Sequence, residues 1–315
     1  MGEVGVTEET NVHGGHEFSL CLTHDVDRPY KSYQSLYYAV IDRDAYHLRT
    51  LLPDRNPYWQ FENVMALEEE LGVRSAFYFL DEQHLFRDRP VREWLSPKSW
   101  KLYAGRYSID DPAIVDVVRE LDEGGWEVGF HGSYESYTDP QRLEHEKETL
   151  EDVLGHEVLG GRQHYLNLEI PETWRYQADA GLRYDSSLGS GSAYGFHHGY
   201  GVRRPFEDEF VVFPLTIMEN ALPDPQGDPE FAWSECKRIL EEAAENSAVM
   251  TILWHPNKFD EREYPNLGSL YRRTIEYAQE LNAWVGPPGE LYGRLVDSEG
   301  VPSSDRRCEL TGDAN

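Results

Sequence analysis

Thr23-His24-Asp25-Val26-Asp27 sets two carboxylates two residues apart, just after an apolar run, Phe18-Ser19-Leu20-Cys21-Leu22. Such a run reads as a short buried strand. Residues two apart on extended backbone share a face, so both carboxylates can enter one pocket. In α/β folds the carboxyl edge of the strands is where catalytic groups gather. A carboxylate pair there can divide labour. One holds a metal ion, and the other takes a proton from water that the ion has acidified. For the pentapeptide alone, an acidic loop cap explains the pattern equally well.

Two later segments tip the balance. Trp126-Glu127-Val128-Gly129-Phe130-His131 is a second strand pattern that ends in a histidine. Ala248-Val249-Met250-Thr251-Ile252-Leu253-Trp254-His255-Pro256 is a third. A lone histidine is ordinarily a satisfied structural residue. Three strands that each deliver a ligand or acid/base type at the same end favour a site.

The chain resembles the polysaccharide deacetylase family (carbohydrate esterase family four, the nodulation-factor deacetylase homology domain). The resemblance rests on five motifs in the family's order. They are Thr23–Asp27, Gly129-Phe130-His131-Gly132-Ser133-Tyr134, Gly161-Arg162-Gln163-His164-Tyr165-Leu166, Tyr184-Asp185-Ser186-Ser187-Leu188-Gly189 and Trp254-His255-Pro256. It extends from about Phe18 to about Leu295. It implies a distorted (β/α) barrel, a divalent metal, and hydrolytic removal of an acetyl group from an amino sugar of a glycan or glycoconjugate.

The resemblance also implies roles. Asp25 matches the base. The family follows that residue directly with a metal-binding aspartate. Here Val26 stands instead, so Asp27 has to reach the ion. His131 matches the first metal-binding histidine. The family's second histidine, four residues on, is replaced by Glu135. We take His164 as the third ligand ahead of Glu135. That mixed nitrogen and oxygen set suits Zn²⁺ foremost, and also Co²⁺, Ni²⁺ or Fe²⁺. Arg162 matches the arginine that orients the base and holds it ionised. Asp185 is expected to bind the imidazole of His255 and keep it protonated, with His255 as general acid. Trp254, Tyr134 and Tyr165 are candidate sugar platforms. The departures at Val26 and Glu135 leave two other readings open: a sugar-binding pseudoenzyme without metal, and a hydrolase of another non-peptide carbon–nitrogen bond.

Composition bounds the partners. The 315 residues carry 58 acidic against 29 basic side chains, net −29. Only six are lysines, Lys31, Lys98, Lys101, Lys147, Lys237 and Lys258, which leaves 29 − 6 = 23 arginines. That balance argues against binding nucleic acid or anionic membranes, which need positive patches. The acid is spread along the whole chain. This suits a protein that works in molar salt, a divergent haloarchaeal-type member, better than one recruiting a basic partner. Cys21, Cys236 and Cys308 are too few and too scattered for a disulfide framework or thiolate zinc site. Cys21 is expected as an inert core thiol. The first residues look like no signal peptide, and no apolar run spans a membrane. A soluble, cytoplasmic protein is the expectation. The oligomeric state stays open.

The elements that must position these residues alternate. Strands are expected at Phe18–Leu22, Arg74–Leu80, Trp126–Phe130, Val158–Gly160, Tyr184–Ser187, Phe210–Ile217 and Ala248–Trp254. Helices are expected at Phe61–Leu71, from Asp111-Pro112 to Gly124, from Asp139-Pro140 to Gly155, and at Pro171–Ala180, Phe231–Ala244 and Leu270–Leu281. The second of these helices should bury Ile114, Val115, Val118 and Leu121. Such βα repetition argues for one α/β domain with a parallel sheet and outer helices, a doubly wound open sheet being the alternative. We expect a barrel over 17–296 between a disordered tail at 1–16 and a flexible tail at 297–315. His13 and His16 fall in the first tail and are not expected as ligands. Asp81 to Tyr107 is read as an insertion over one end, and the loop around His197-His198 as a cover for the site.

Overall fold

The alternating strand and helix signals resolve into one curled, mostly parallel sheet with helices outside it. The computed structural model describes residues 7–9, 13–52, 55–206 and 209–298. β1 (Thr7–Glu9) and the long β2 (Phe18–Val26) come first. Then α1 (Gln34–Ile41), α2 (Tyr46–Arg49) and α3 (Phe61–Leu71) lead to β3 (Ala76–Leu80). α4 (Pro97–Tyr103) and α5 (Pro112–Glu123) precede β4 (Glu127–Gly132), α6 (Pro140–Leu154) precedes β5 (Gly160–Gln163), and α7 (Glu172–Asp179) precedes β6 (Tyr184–Asp185). β7 (Val202–Arg204), β8 (Val211–Val212) and β9 (Leu215–Met218) follow. The chain then runs through α8 (Pro229–Glu245), β10 (Val249–Leu253), α9 (Leu267–Glu280), β11 (Ala283–Gly286) and α10 (Pro288–Ser298).

The strand order is β1-β7-β8-β6-β5-β4-β3-β2-β10-β9, with β11 also on β2. Only the pairings of β7 with β1 and β8 are antiparallel. The rest form a distorted, open (β/α) barrel, a half-barrel in a single domain, as expected. β2 is its hub. Thr23–Val26 lie against β3, Phe18–Cys21 against β11, and Ser19–Thr23 against β10.

Strand alternation sorts the side chains. In β2, Leu20, Leu22 and Val26 join the large core between sheet and helices, where Phe77, Phe79, Phe130, Ile252 and Trp254 also pack. The other face of the sheet carries Cys21, Ala76, Tyr78, Tyr184, Phe213 and Val249, which fill the barrel interior. Cys21 is buried and free, and burial pushes its thiol up, as fits an inert core residue. The same alternation sends Asp25 and Asp27 to the interior face above Cys21, and Val26 outward into apolar packing.

Helix signals behave as their physics requires. α6 starts at Asp139, whose side chain accepts from the Arg142 N–H, has Pro140 in its first turn, and stops at Gly155 in the left-handed region (φ 80°). α5 buries Ile114, Val118 and Leu121 as predicted, with Val117 taking the place expected for Val115.

Other expectations are corrected. The strand expected over Phe210–Ile217 is two, β8 and β9, interrupted at Phe213-Pro214, where proline offers no donor to a ladder. β11 and α10 carried no sequence signal strong enough to be predicted. Part of the segment expected as a disordered tail, 7–9 and 13–16, lies among the described residues. Thr7–Glu9 pair with β7, and His13 is buried, with Nδ1 2.7 Å from Ser19 Oγ and Nε2 2.8 Å from the Ser247 carbonyl. Residues 299–315, most of the expected C-terminal tail, lie outside the described residues. Among the described residues no helix is long and apolar enough to cross a membrane.

Candidate active site

β2 delivers both carboxylates. It runs farther than its apolar run suggests, because β3 pairs with it through Val26, so Asp25 lies within the strand and Asp27 just beyond it. The segment read as an insertion braces this edge. Tyr107 Oη donates to the Val26 carbonyl at 2.8 Å, and Arg106 Nη1 donates to the Asp27 carbonyl at 2.9 Å.

Asp25 is almost fully buried, and its Oδ1 accepts from Arg162 Nη1 at 2.7 Å. Arg162 is itself fully buried on β5, and its Nε donates to the Ser186 carbonyl at 2.9 Å. Backbone approach makes this geometry possible: a Cβ at Gly161 would lie 1.8 Å from the Phe130 carbonyl oxygen, so only glycine lets β5 close on β4 here. The arginine therefore meets the base candidate.

Asp27, His131 and His164 converge. Each offers one ligand atom, and these atoms lie within 4.8 Å of one another. Asp27 Oδ1 is 3.1 Å from His131 Nε2 and 3.3 Å from His164 Nε2. Burial works against the Asp27 carboxylate, but His164, His131 and His255 together hold it well below the usual range. His131 donates from Nδ1 to the Arg162 carbonyl at 2.9 Å and meets Asp27 Oδ1 through Nε2; burial disfavours its imidazolium, but Asp25 and Asp27 outweigh it and raise its pKa, so a cation would take the place of the Nε2 proton. His164 Nδ1 lies 3.6 Å from the buried Glu82 carboxylate and has no hydrogen-bond partner among the described residues. Burial pushes His164 down to about 4, so it is a neutral imidazole near pH 7. A divalent cation requires neutral imidazoles and an ionised carboxylate; His164 and Asp27 are in those states, and His131 would release its proton on binding. By donor type and orientation, the three residues fit a metal ion. The backbone beside them is unusual: Tyr165 (φ 59°) and Leu166 (φ 57°) are consecutive left-handed non-glycine residues directly after His164.

Glu135, the competing ligand, is turned elsewhere. It accepts from Arg89 Nη1 at 2.9 Å and Tyr103 Oη at 3.1 Å.

His255 follows β10 on the interior side. Its Nε2 is 3.5 Å from Asp27 Oδ2. The expected partner is corrected. Asp185 does not bind His255. Its carboxylate accepts from Trp174 Nε1 (3.1 Å), Gln177 Nε2 (2.9 Å), and the Ser187 N–H (2.9 Å) and hydroxyl (2.5 Å). It ties α7 to the end of β6, and burial raises its pKa. Glu219 takes the place foreseen for it. This fully buried residue holds His255 Nδ1 at 2.7 Å through Oε1, and its Oε2 has no hydrogen-bond partner among the described residues. Burial disfavours the imidazolium, but Glu219 and Asp27 outweigh it and raise His255 well above its ordinary value. Nothing in the sequence near Glu219 singled it out; it follows a short strand among 58 acidic residues.

Of the expected platforms, Tyr165 is 48% exposed and lines the cleft beside His164. Tyr134 meets it edge-on, with ring centroids 5.7 Å apart. Trp254 is fully buried against Tyr271 and is core. The Gly189–Gly201 loop contributes Gly191 to the cleft wall.

No family model matches the chain, and no curated protein does. Solved structures do. A protein of Mycobacterium smegmatis described as a "putative polysaccharide deacetylase" aligns over 97% of this chain and 100% of its own, at 16% identity and TM-score 0.58. The fold is that of the deacetylase barrel. A "probable polysaccharide deacetylase" of Pseudomonas aeruginosa PAO1 covers 90% of this chain and 92% of its own, at 13% identity and TM-score 0.57. The Puue allantoinase does so over the same shares, at 13% identity and TM-score 0.56.

Proposed function

We propose that the chain is a metal-dependent hydrolase that removes an N-acetyl group from an amino-sugar unit. One observation carries the reading: Asp25, Asp27, His131, His164 and His255, from four strands, meet in one cleft with Arg162 and Glu219 behind them. Asp27, His131 and His164 would hold a divalent cation such as Zn²⁺. When bound, such an ion polarises the acyl oxygen and acidifies water. Asp25, fixed by Arg162, is placed to take the proton of the attacking water as its oxygen bonds the acyl carbon. His255, held protonated by Glu219, is placed to give a proton to the nitrogen as the C–N bond breaks. Acetate and a free amine result. Tyr165 offers an aromatic face to the sugar.

The test is acetate release from N-acetylated amino sugars and their oligomers in molar potassium chloride, with metal content measured before and after chelation. Release that stops on chelation and returns with Zn²⁺ supports the reading. A protein with no metal and no release points to the sugar-binding pseudoenzyme. A second hydrolytic reading, opening of a small cyclic amide, is favoured by the fold shared with the allantoinase. Ring opening without acetate release would select it.

A further inference from the structure

The cleft has two lobes that share Asp25, Asp27 and His255. One, about 310 Å³, contains the candidate metal ligands. The other, about 370 Å³, runs from His255 to the aromatic wall of Tyr38, Tyr58 and Tyr264, and the hydrolytic chemistry leaves it unused. Its volume is that of a small-molecule site.

Its charge is out of keeping with the molecule. The chain has 58 acidic and 29 basic residues, six of them lysines, yet Arg28, Lys101 and Lys258 all line this lobe. Among the described residues, Arg28 donates only to backbone carbonyls, those of Ala104 (2.5 Å), Lys101 (2.7 Å) and Gly105 (3.5 Å). Lys258 Nζ sits 3.8 Å from the centroid of the Tyr264 ring, and within the described residues its ammonium has no hydrogen bond or ion pair. The carboxylates at the edge of the lobe each hold another partner, although Glu219 and Asp27 also favour the charged form of Lys258. Asp25 is held by Arg162, Asp27 by the histidines, and Glu219 by His255. Burial weakens the charged form of Lys258, and an arriving anion would relieve that penalty.

We infer that this lobe binds an anionic group of the substrate, a carboxylate or a phosphate on the sugar skeleton. On the deacetylase reading, the substrate class is then acidic acetamido sugars or glycans built from them. The aromatic wall packs the sugar ring, while Lys258 and Arg28 give charge-assisted hydrogen bonds to the anion.

Direct binding to the full chain tests this, by titration calorimetry at fixed potassium chloride. Three probes share one skeleton: N-acetylglucosamine, its uronate (2-acetamido-2-deoxyglucuronate) and its 1-phosphate. At least one anionic probe should bind about tenfold or more tighter than the neutral one. A preference for the uronate alone identifies a carboxylate, and for the 1-phosphate alone a phosphate. Equal binding of all three overturns the inference. Lys258→Met should bring the ratio near one, while Lys258→Arg keeps most of it. Should Lys258→Met not fold, Lys101→Met, at an exposed position, should lower the ratio severalfold. A folded Lys258→Met with the wild-type ratio also overturns it. Binding and turnover fail separately. Charge preference without acetate release keeps the subsite and ends the deacetylase reading. Acetate release without charge preference does the reverse.

Discussion

Glu219→Gln isolates the charge that sustains His255. Glutamine keeps the size of the buried side chain and an oxygen for His255 Nδ1, now 2.7 Å from Glu219 Oε1. It removes only the negative charge. Two unit charges with centres roughly 4 Å apart, at an effective dielectric near 20, interact by about 4 kcal/mol. At about 1.4 kcal/mol per pKa unit, losing that interaction lowers the pKa of the imidazole and is felt in the pH profile. Asp27 also favours the imidazolium, but its charge is shared with His131 and His164. Glu219 is therefore the larger support in a metal-loaded protein. A general acid must be protonated, and lowering its pKa deprotonates it from the alkaline side. The alkaline limb of kcat/KM should move down by about one to three pH units, and kcat/KM at alkaline pH should fall by about 10- to 1000-fold. The loss should shrink toward acidic pH. The assay is acetate release across pH at fixed potassium chloride, with metal content determined in parallel. An alkaline limb in the wild-type place, with metal content unchanged, would refute the assignment of Glu219 to His255.

Other perturbations have equally defined outcomes. Asp25→Asn should keep the metal and lower kcat by about two to four orders of magnitude; near-normal turnover removes Asp25 from the mechanism. His131→Ala, His164→Ala and Asp27→Ala should each lose bound metal, while Glu135→Ala keeps it; elemental analysis of the four variants would expose the opposite pattern. Burial raises the Glu127 carboxyl to about 7, despite hydrogen bonds from Tyr184 Oη (2.5 Å) and the Gly289 N–H (2.8 Å). A raised folded pKa means stability that is complete below the unfolded value near 4.5 and is lost as pH rises through about 7. Glu127→Gln should therefore gain on the wild type by up to about 3 kcal/mol between pH 5 and 8. Denaturant titrations that show a constant difference across that window would contradict this. Finally, net charge −29 should make the melting temperature climb with potassium chloride, because the Debye length shrinks from about 30 Å at 0.01 M to about 3 Å at 1 M; a melt indifferent to salt would remove the high-salt reading.

Much of the site was legible in the chain. Strand signals are local, and a two-residue period fixes which side chains share a face. Asp25 with Asp27, His131 at the end of β4 and His255 beyond β10 could be placed that way. Helix stops at Gly72 and Gly155 were equally local. Partners chosen across strands were not. The sequence offered Asp185 to His255, but β6 pairs with β5 and β8, and α7 turns Trp174 and Gln177 onto that carboxylate. Glu219 reaches His255 because β9 and β10 run parallel with Met218 opposite Leu253, so the chains leave the two strand ends side by side. That register joins residues 36 apart in sequence, and no local pattern encodes it. The fate of Glu135 was settled the same way, by Arg89 and Tyr103 of the segment that folds over the barrel end. The sequence determined which residue types reach the carboxyl edge of the sheet. The tertiary structure decided which of them touch, because contact depends on strand register and crossover packing, and both are properties of the whole sheet.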